Sequence, residues 1–231
     1  MARKAKIDNA ILKRFARKEA RRLENTKNER TYILIVCEGE KTEPFYFNGL
    51  KNVLPKGTLD LHQIDVEGTG KNTISLIEHS IKVKEEREES RIRTFDQVWA
   101  VFDKDDFTDH NFNNAITKAE AIDICCDWSN EAFELWYLLH FEFLNSALSR
   151  TSYKKKLEVH IQKASGNKSF RYSKNADDMY ELLKKYGDEA KATRYAFKLE
   201  EQFSADRNYA QHNPCTRVHH LMAELNKLKE L

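Results

Sequence analysis

The chain has 231 residues, 40% of them hydrophobic, and a formal charge of +2, which suits one sizeable domain, or one domain with a helical extension, around its own core. No apolar stretch approaches the ~18 residues of a membrane span, and no apolar signal segment follows the basic N-terminus, so a soluble, cytoplasmic protein with no membrane contact is expected. The four cysteines, Cys37, Cys125, Cys126 and Cys215, have no C-x-x-C spacing; they indicate neither a zinc site nor a disulfide framework and are expected to be small buried hydrophobes in a reducing compartment.

In chain order, residues 1–30 come first as a basic arm. They hold 11 Lys and Arg against 4 Asp and Glu, a balance of +7, which leaves +2 − 7 = −5 for the rest of the chain. Residues 7–23 have helical spacing, with Ile7, Ile11, Leu12 and Phe15 on one side and Arg14, Arg17 and Arg21 among the surrounding cations. Such an arm can neutralise phosphates and steer nucleic acid toward an acidic domain, or be a solvated leader.

The apolar run of residues 32–37 reads as a strand that stops at Glu38-Gly39-Glu40. A helix begins at Glu43-Pro44, with Phe45, Phe47, Leu50 and Leu54 as its apolar positions, and ends at Pro55-Lys56-Gly57. Residues 59–66 alternate as a second strand. A helix capped by Asn72 or Thr73 then runs to Val83, ahead of a charged run at 84–89. The third strand, 97–102, stops at Asp103-Lys104-Asp105-Asp106. A short helix over 113–120, a fourth strand over 122–126 and an aromatic-rich helix, capped by Ser129 or Asn130 and ending near Leu144, complete this half. Strands alternating with helices imply βαβ units and a mostly parallel sheet over residues 31–146. Residues 147–231 read as a helical C-terminal extension, with polar breaks at 165–169, near Gly187 and at Asn213-Pro214.

The chemistry lies at the strand ends. Loops at the carboxyl edge of a parallel sheet meet in one crevice, so Glu38 and Glu40 would face Asp103, Asp105 and the segment carrying Glu131 and Glu134, with Glu43 a third acidic residue crowded nearby. Carboxylates held that close repel, and a hard cation between them, Mg²⁺ or Mn²⁺, would relieve this. Alternate residues after the third strand can present two carboxylates to one cation; the bland reading is an acidic turn capping the next helix. Gly39 permits close approach at the strand end. Some of the glutamates near it can instead favour the following helix N-terminus.

The stretch Gly68-Thr69-Gly70-Lys71-Asn72-Thr73 lacks the spacing of an ATP-binding phosphate loop. It is either a turn whose N–H groups and Lys71 approach a substrate phosphate or a plain turn. Lys41 and Lys104, beside the carboxylates, are further candidate substrate cations. Phe133, Trp136, Leu139 and Phe143 form a core stripe; Glu134 within it calls for an ion-pair partner or a metal. His140 is expected to be a hydrogen-bonded core residue, and His219-His220 to lie on the surface.

The segments ILIVCEGEKTEPFYF, VEGTGKNT, VWAVFDKDD, SNEAFELWYLLHF and NPCTRVHHLMAEL together resemble the RloB family, the AbiLii component of the AbiL abortive-infection system. The resemblance implies a Toprim-like fold, shared with topoisomerases, primases and OLD-type nucleases, in which a strand-end glutamate and an Asp-x-Asp hold divalent metal. These correspond to Glu38, Asp103 and Asp105, with Glu40 the other candidate for the leading glutamate. Glu134 matches the further acidic residue on the following helix. The implied activity is Mg²⁺-dependent cleavage of DNA or RNA, including tRNA, in anti-phage defence, beside a large ABC-type ATPase as partner. The alternative is a non-catalytic module that binds nucleic acid or a nucleotide and regulates that ATPase.

Overall fold

Tyr32–Cys37 is built almost wholly of residues that water rejects, and its burial is nearly complete. A strand with both faces covered has this composition. It is the second strand of a sheet, β1, in a computed structural model that describes residues 31–52, 63–68, 73–90, 94–105 and 107–229. β2 is Gln63–Gly68, β3 Gln97–Asp103, β4 Cys125–Asn130 and β5 Cys215–Thr216. Their order is β2-β1-β3-β4-β5; the first four run parallel, and β5 joins antiparallel to β4. The helices are α1 (Thr42–Asn52), α2 (Thr73–Ser90), α3 (Asp109–Ala121), α4 (Glu134–Leu139), α5 (Arg150–Ser165), α6 (Met179–Tyr186), α7 (Glu189–Glu201) and α8 (Val218–Lys227). The mixed α/β, mostly parallel architecture expected from the sequence is therefore present, with helices through the C-terminal part.

Side chains alternate across a strand, and β1 and β3 sort their residues accordingly. Leu34 and Val36, with Val98, Ala100 and Phe102, pack under α2 and α3. Ile33, Ile35 and Cys37, with Trp99 and Val101, face a larger cluster drawn from α1 and α4 to α8. The C-terminal helices thus complete the core of one sheet face, and residues 31–231 form one compact unit. Among the described residues no helix is long and apolar enough to cross a membrane.

Several boundaries differ from the sequence reading. The fourth strand lies at Cys125–Asn130 rather than 122–126. Its polar residues are buried and tied to the C-terminal segment: the Leu221 N–H donates to Oδ2 of Asp127 (3.0 Å), whose Oδ1 accepts no hydrogen bond among the described residues, Ser129 and Thr216 share a hydroxyl hydrogen bond (2.8 Å), and Asn130 donates to the Ala210 carbonyl (2.9 Å). Ser129 and Asn130 are therefore strand residues, not caps, and the aromatic helix is confined to Glu134–Leu139. The charged run at 84–89 is helical, since α2 continues to Ser90 with its charges at the surface. α3 begins four residues earlier than expected, where the Thr108 hydroxyl accepts from the Asn111 N–H. The second strand runs Gln63–Gly68; residues 59–62 of the expected strand lie outside the described residues. β5 was not expected at all. Cys37, Cys126 and Cys215 are buried as expected, but Cys125, at the first position of β4, is exposed.

Candidate active site

The carboxyl ends of β1 and β3 lie side by side, because Cys37 pairs with Val101. The chain leaves β1 with the Glu38 N–H on the Val101 carbonyl (2.8 Å), and the Glu38 carboxylate turns back to accept from the Asp103 N–H (3.2 Å). The next strand adds to the same edge: the Lys104 N–H donates to the Ser129 carbonyl of β4 (2.8 Å), and α4 follows with Glu134 in its first turn. Glu38, Asp103 and Glu134, 96 positions apart at the extremes, are thereby delivered to one place by the topology alone.

They line a cavity of about 460 Å³ together with Glu40, Glu43 and Asp105. Against these six carboxylates stand three cations, Lys41, Arg150 and Lys174, so the cavity is acidic. Arg150 opens α5 and reaches back with one guanidinium nitrogen 2.9 Å from Asp105 and the other 3.6 Å from Asp103. Asp105 has a left-handed φ of 37°, a conformation Asp adopts more readily than most residues, and this turn aims its carboxylate at the arginine. Glu134 is buried and accepts a hydrogen bond from the Tyr172 hydroxyl (3.1 Å).

Burial and mutual repulsion dominate the electrostatics. Burial, with added repulsion from Glu43 and Asp105, pushes the Glu38 carboxyl up to about 7. Burial and the nearby Glu134 do the same to Glu43, against the pull of Lys174 and Arg150. Asp103 is held well above the ordinary carboxylate range, first by burial and then by Glu43 and Glu134, despite Arg150. Its Oδ1 is buried and, among the described residues, accepts no hydrogen bond. A buried acceptor without a donor is costly. Oxygen-only donors, an orphaned carboxylate oxygen and excess negative charge fit a hard divalent cation, as Mg²⁺ and Mn²⁺ sites do.

The structure places the expected residues unevenly. Glu38, Asp103, Asp105 and Glu134 share the cavity, and Glu40 and Lys41 stand exposed at its mouth. Lys104 does not face it. Its ammonium donates to the Phe107 carbonyl and pairs with Asp109 at 3.3 Å, anchoring the start of α3, because the residue after a strand end alternates to the opposite side from Asp103. Lys71, Arg14, Arg17 and Arg21 lie outside the described residues. Glu43 was read as a residue that could favour a helix N-terminus, yet it is buried and lines the cavity. Its signal was Gly39: a Cβ there would stand 2.2 Å from Oε2 of Glu43, so glycine leaves the room this carboxylate occupies. Arg150, Lys174 and Asn175 were missed, and no local pattern marks them.

The two histidine expectations also change. His140 is buried as expected, but among the described residues neither ring nitrogen makes a hydrogen bond, and burial lowers its pKa to about 4. His219 and His220 do not simply face solvent. His219 is 5% exposed, and both rings approach Glu200 because α7 ends where α8 begins.

A family model described as RloB-like protein matches residues 33–225, which covers β1 through most of α8 and every cavity residue named above. No curated protein and no solved structure matches the chain.

Proposed function

We propose that this chain, which belongs to the RloB-like protein family, is a Toprim-like, metal-dependent endonuclease that hydrolyses phosphodiester bonds of DNA or RNA. The observation that carries the proposal is the convergence of Glu38, Glu43, Asp103, Asp105 and Glu134 in one acidic cavity at the carboxyl edge of the sheet. A module that only bound anionic nucleic acid would gain nothing from concentrated negative charge there.

Glu38, Asp103 and Asp105 would hold Mg²⁺ or Mn²⁺, with Glu43 or Glu134 available to a second ion. The bound metal supplies an activated water and charge stabilisation at the phosphate, as in other metal-assisted phosphoryl chemistry. The chain's own contribution is positional. The backbone hydrogen bond from Asp103 fixes the Glu38 carboxylate, and the Tyr172 hydroxyl fixes Glu134. Arg150, paired with Asp103 and Asp105, is placed to pass to a non-bridging phosphate oxygen, which its planar fork suits. Lys174 and Asn175, from the segment before α6, offer a second cation and an amide on the same wall. The basic arm of residues 1–30 would bring nucleic acid to a site whose own charge repels it. The resemblance adds anti-phage defence as the setting, tRNA among the substrates, the cytoplasm as the location and an ABC-type ATPase as partner.

The test is incubation of the full chain, alone and with the ATPase partner, with plasmid DNA and with total RNA in Mg²⁺ and then in EDTA. Cleavage of one substrate class that EDTA stops, and that Asp103→Ala and Asp105→Ala abolish, is the expected result. Binding without cleavage would favour the regulatory module over the nuclease, and cleavage at the wild-type rate by either variant would overturn the assignment of the metal site.

A further inference from the structure

Among the described residues, one set of three side chains already has its donor atoms within 4.8 Å of one another, and it lies outside the acidic cavity: Glu200, His219 and His220. Glu200 sits in the last turn of α7, and the two histidines open α8 directly after β5. Nε2 of His219 is 3.2 Å and Nε2 of His220 2.7 Å from the same Glu200 oxygen, Oε2. The other oxygen, Oε1, is ion-paired with Nε of Arg217 at 3.0 Å.

A plain ion-pair hub leaves part of His219 unaccounted for. Its ring is 95% buried, given an exposure of 5%; Nε2 stands at ion-pair distance from Oε2, but Nδ1 makes no hydrogen bond among the described residues. Buried polar side-chain atoms normally have a partner. His220 and Glu200 are partly exposed, with side-chain exposures of 37% and 29%, so the outer side of the triad opens to water. The half-exposed Phe197 ring stands edge-on to His219.

From this geometry we propose that Glu200, His219 and His220 form a zinc-type transition-metal site that staples α7 to the start of α8, separate from the acidic cavity. Two imidazoles and one carboxylate are a borderline donor set, which suits Zn²⁺ better than the hard Mg²⁺. In a tetrahedral site with bonds of about 2.0–2.1 Å, neighbouring donors stand about 3.3 Å apart. The two measured separations, 3.2 and 2.7 Å, lie at and below that spacing and all three donors lie within 4.8 Å of one another, so small rotations of the two rings would bring them into place. Arg217 supplies the outer contact that orients a ligating carboxylate, leaving Oε2 for the metal. Water takes the fourth position. The site does not depend on the nuclease reading. Its effect is structural: Arg217 and β5 hold the strand that closes the sheet beyond β4, and the metal would fix α8 behind them.

The experiment uses the untagged full chain, stripped with EDTA and desalted. Co²⁺ is added and the visible spectrum recorded, and Zn²⁺ is then titrated by calorimetry and by its effect on the melting temperature. The expected result is a set of Co²⁺ ligand-field bands of a low-coordinate nitrogen and oxygen site, bleached by one equivalent of Zn²⁺, with a rise in melting temperature. Asp103→Ala should leave this signal intact. Glu200→Gln and His220→Ala, both at partly exposed positions, should stay folded by circular dichroism and lose more than about tenfold in Zn²⁺ affinity, since outer-contact losses alone reach that size. Absence of the bands, or Zn²⁺ affinity unchanged in both folded variants, would overturn the proposal and leave the three residues an ion-pair clasp.

Discussion

Glu43→Gln should make the metal-free protein more stable, which is unusual for a substitution at a buried charged residue. In the folded chain its carboxyl is pushed up to about 7 from an ordinary 4.5, through burial first and then repulsion by Glu134. A displacement of about 2.5 in pKa corresponds to about 3 kcal/mol of penalty once the group is ionised. The sign follows from proton uptake. Between pH 4.5 and about 7 the folded state binds the proton more tightly than the unfolded state, so stability from this group falls as pH rises through that window and is fully lost above it. Glutamine has the same shape, can still accept from the residue's own backbone N–H, and carries no charge. Above pH 7.5 in EDTA the variant should therefore gain up to about 3 kcal/mol, which for a chain of this size is a rise of roughly 5–10 °C in melting temperature. Near pH 4.5 the two proteins should melt together, because wild-type Glu43 is then neutral in the fold. Scanning fluorimetry from pH 4.5 to 8.5, with and without Mg²⁺, reads both effects, and Mg²⁺ should raise the wild type more than the variant. A variant that melts lower than wild type at pH 8 in EDTA would show that Glu43 is a net stabilising partner of Lys174, and the repulsive cavity would have to be given up.

Gly39→Ala should push the Glu43 carboxylate out of its place, since the new Cβ would meet Oε2 at 2.2 Å; Mn²⁺ affinity measured by calorimetry should drop while the melting temperature changes little, because the displaced group is the end of a flexible side chain. Arg150→Ala removes a partner from both Asp103 and Asp105 and should destabilise the metal-free chain by about 1–2 kcal/mol, less than a fully buried pair would lose, with Mg²⁺ restoring most of it; a loss that Mg²⁺ does not restore would mean the arginine holds the fold by other contacts. Deletion of residues 1–24 should flatten the slope of log K against log salt for nucleic-acid binding, and an unchanged slope would assign the arm another role.

Strands β1 and β3 were legible to within a residue because each is an unbroken apolar run, and a strand covered on both faces leaves that signature in the sequence itself. β4 was misplaced because half of it is polar. Asp127, Ser129 and Asn130 are tolerable in a buried strand only through Leu221, Thr216 and Ala210, at sequence separations of 94, 87 and 80, and no local reading contains those partners. The same division holds in the site. Glu38, Asp103 and Asp105 follow strand ends, and the topology of a parallel sheet brings such positions together before any coordinate is known. Glu43 needed the contact with Gly39 to be recognised, and the His219-His220 pair was misjudged because neighbours on one helix diverge unless a third element, here Glu200 of α7, stands where both can reach it.

The residues that sequence could not supply share one property: Arg150, Tyr172, Lys174 and Asn175 all come from the stretch after residue 147, which had been read as an extension. The strand ends and the helices that follow β1 and β4 contribute the carboxylates, whereas two of the three cavity cations and the hydroxyl that holds Glu134 come from this later stretch. A sheet edge carrying Glu38, Glu43, Asp103 and Glu134 with no compensating charge would be self-repulsive to an extent that desolvation makes worse. The later helices bury the edge, complete its core and supply the compensating cation at Arg150. On the nuclease reading, Glu38, Asp103 and Asp105 would hold the metal, Arg150 would be available to a phosphate oxygen, and the repulsion among the carboxylates would be what favours cation binding there.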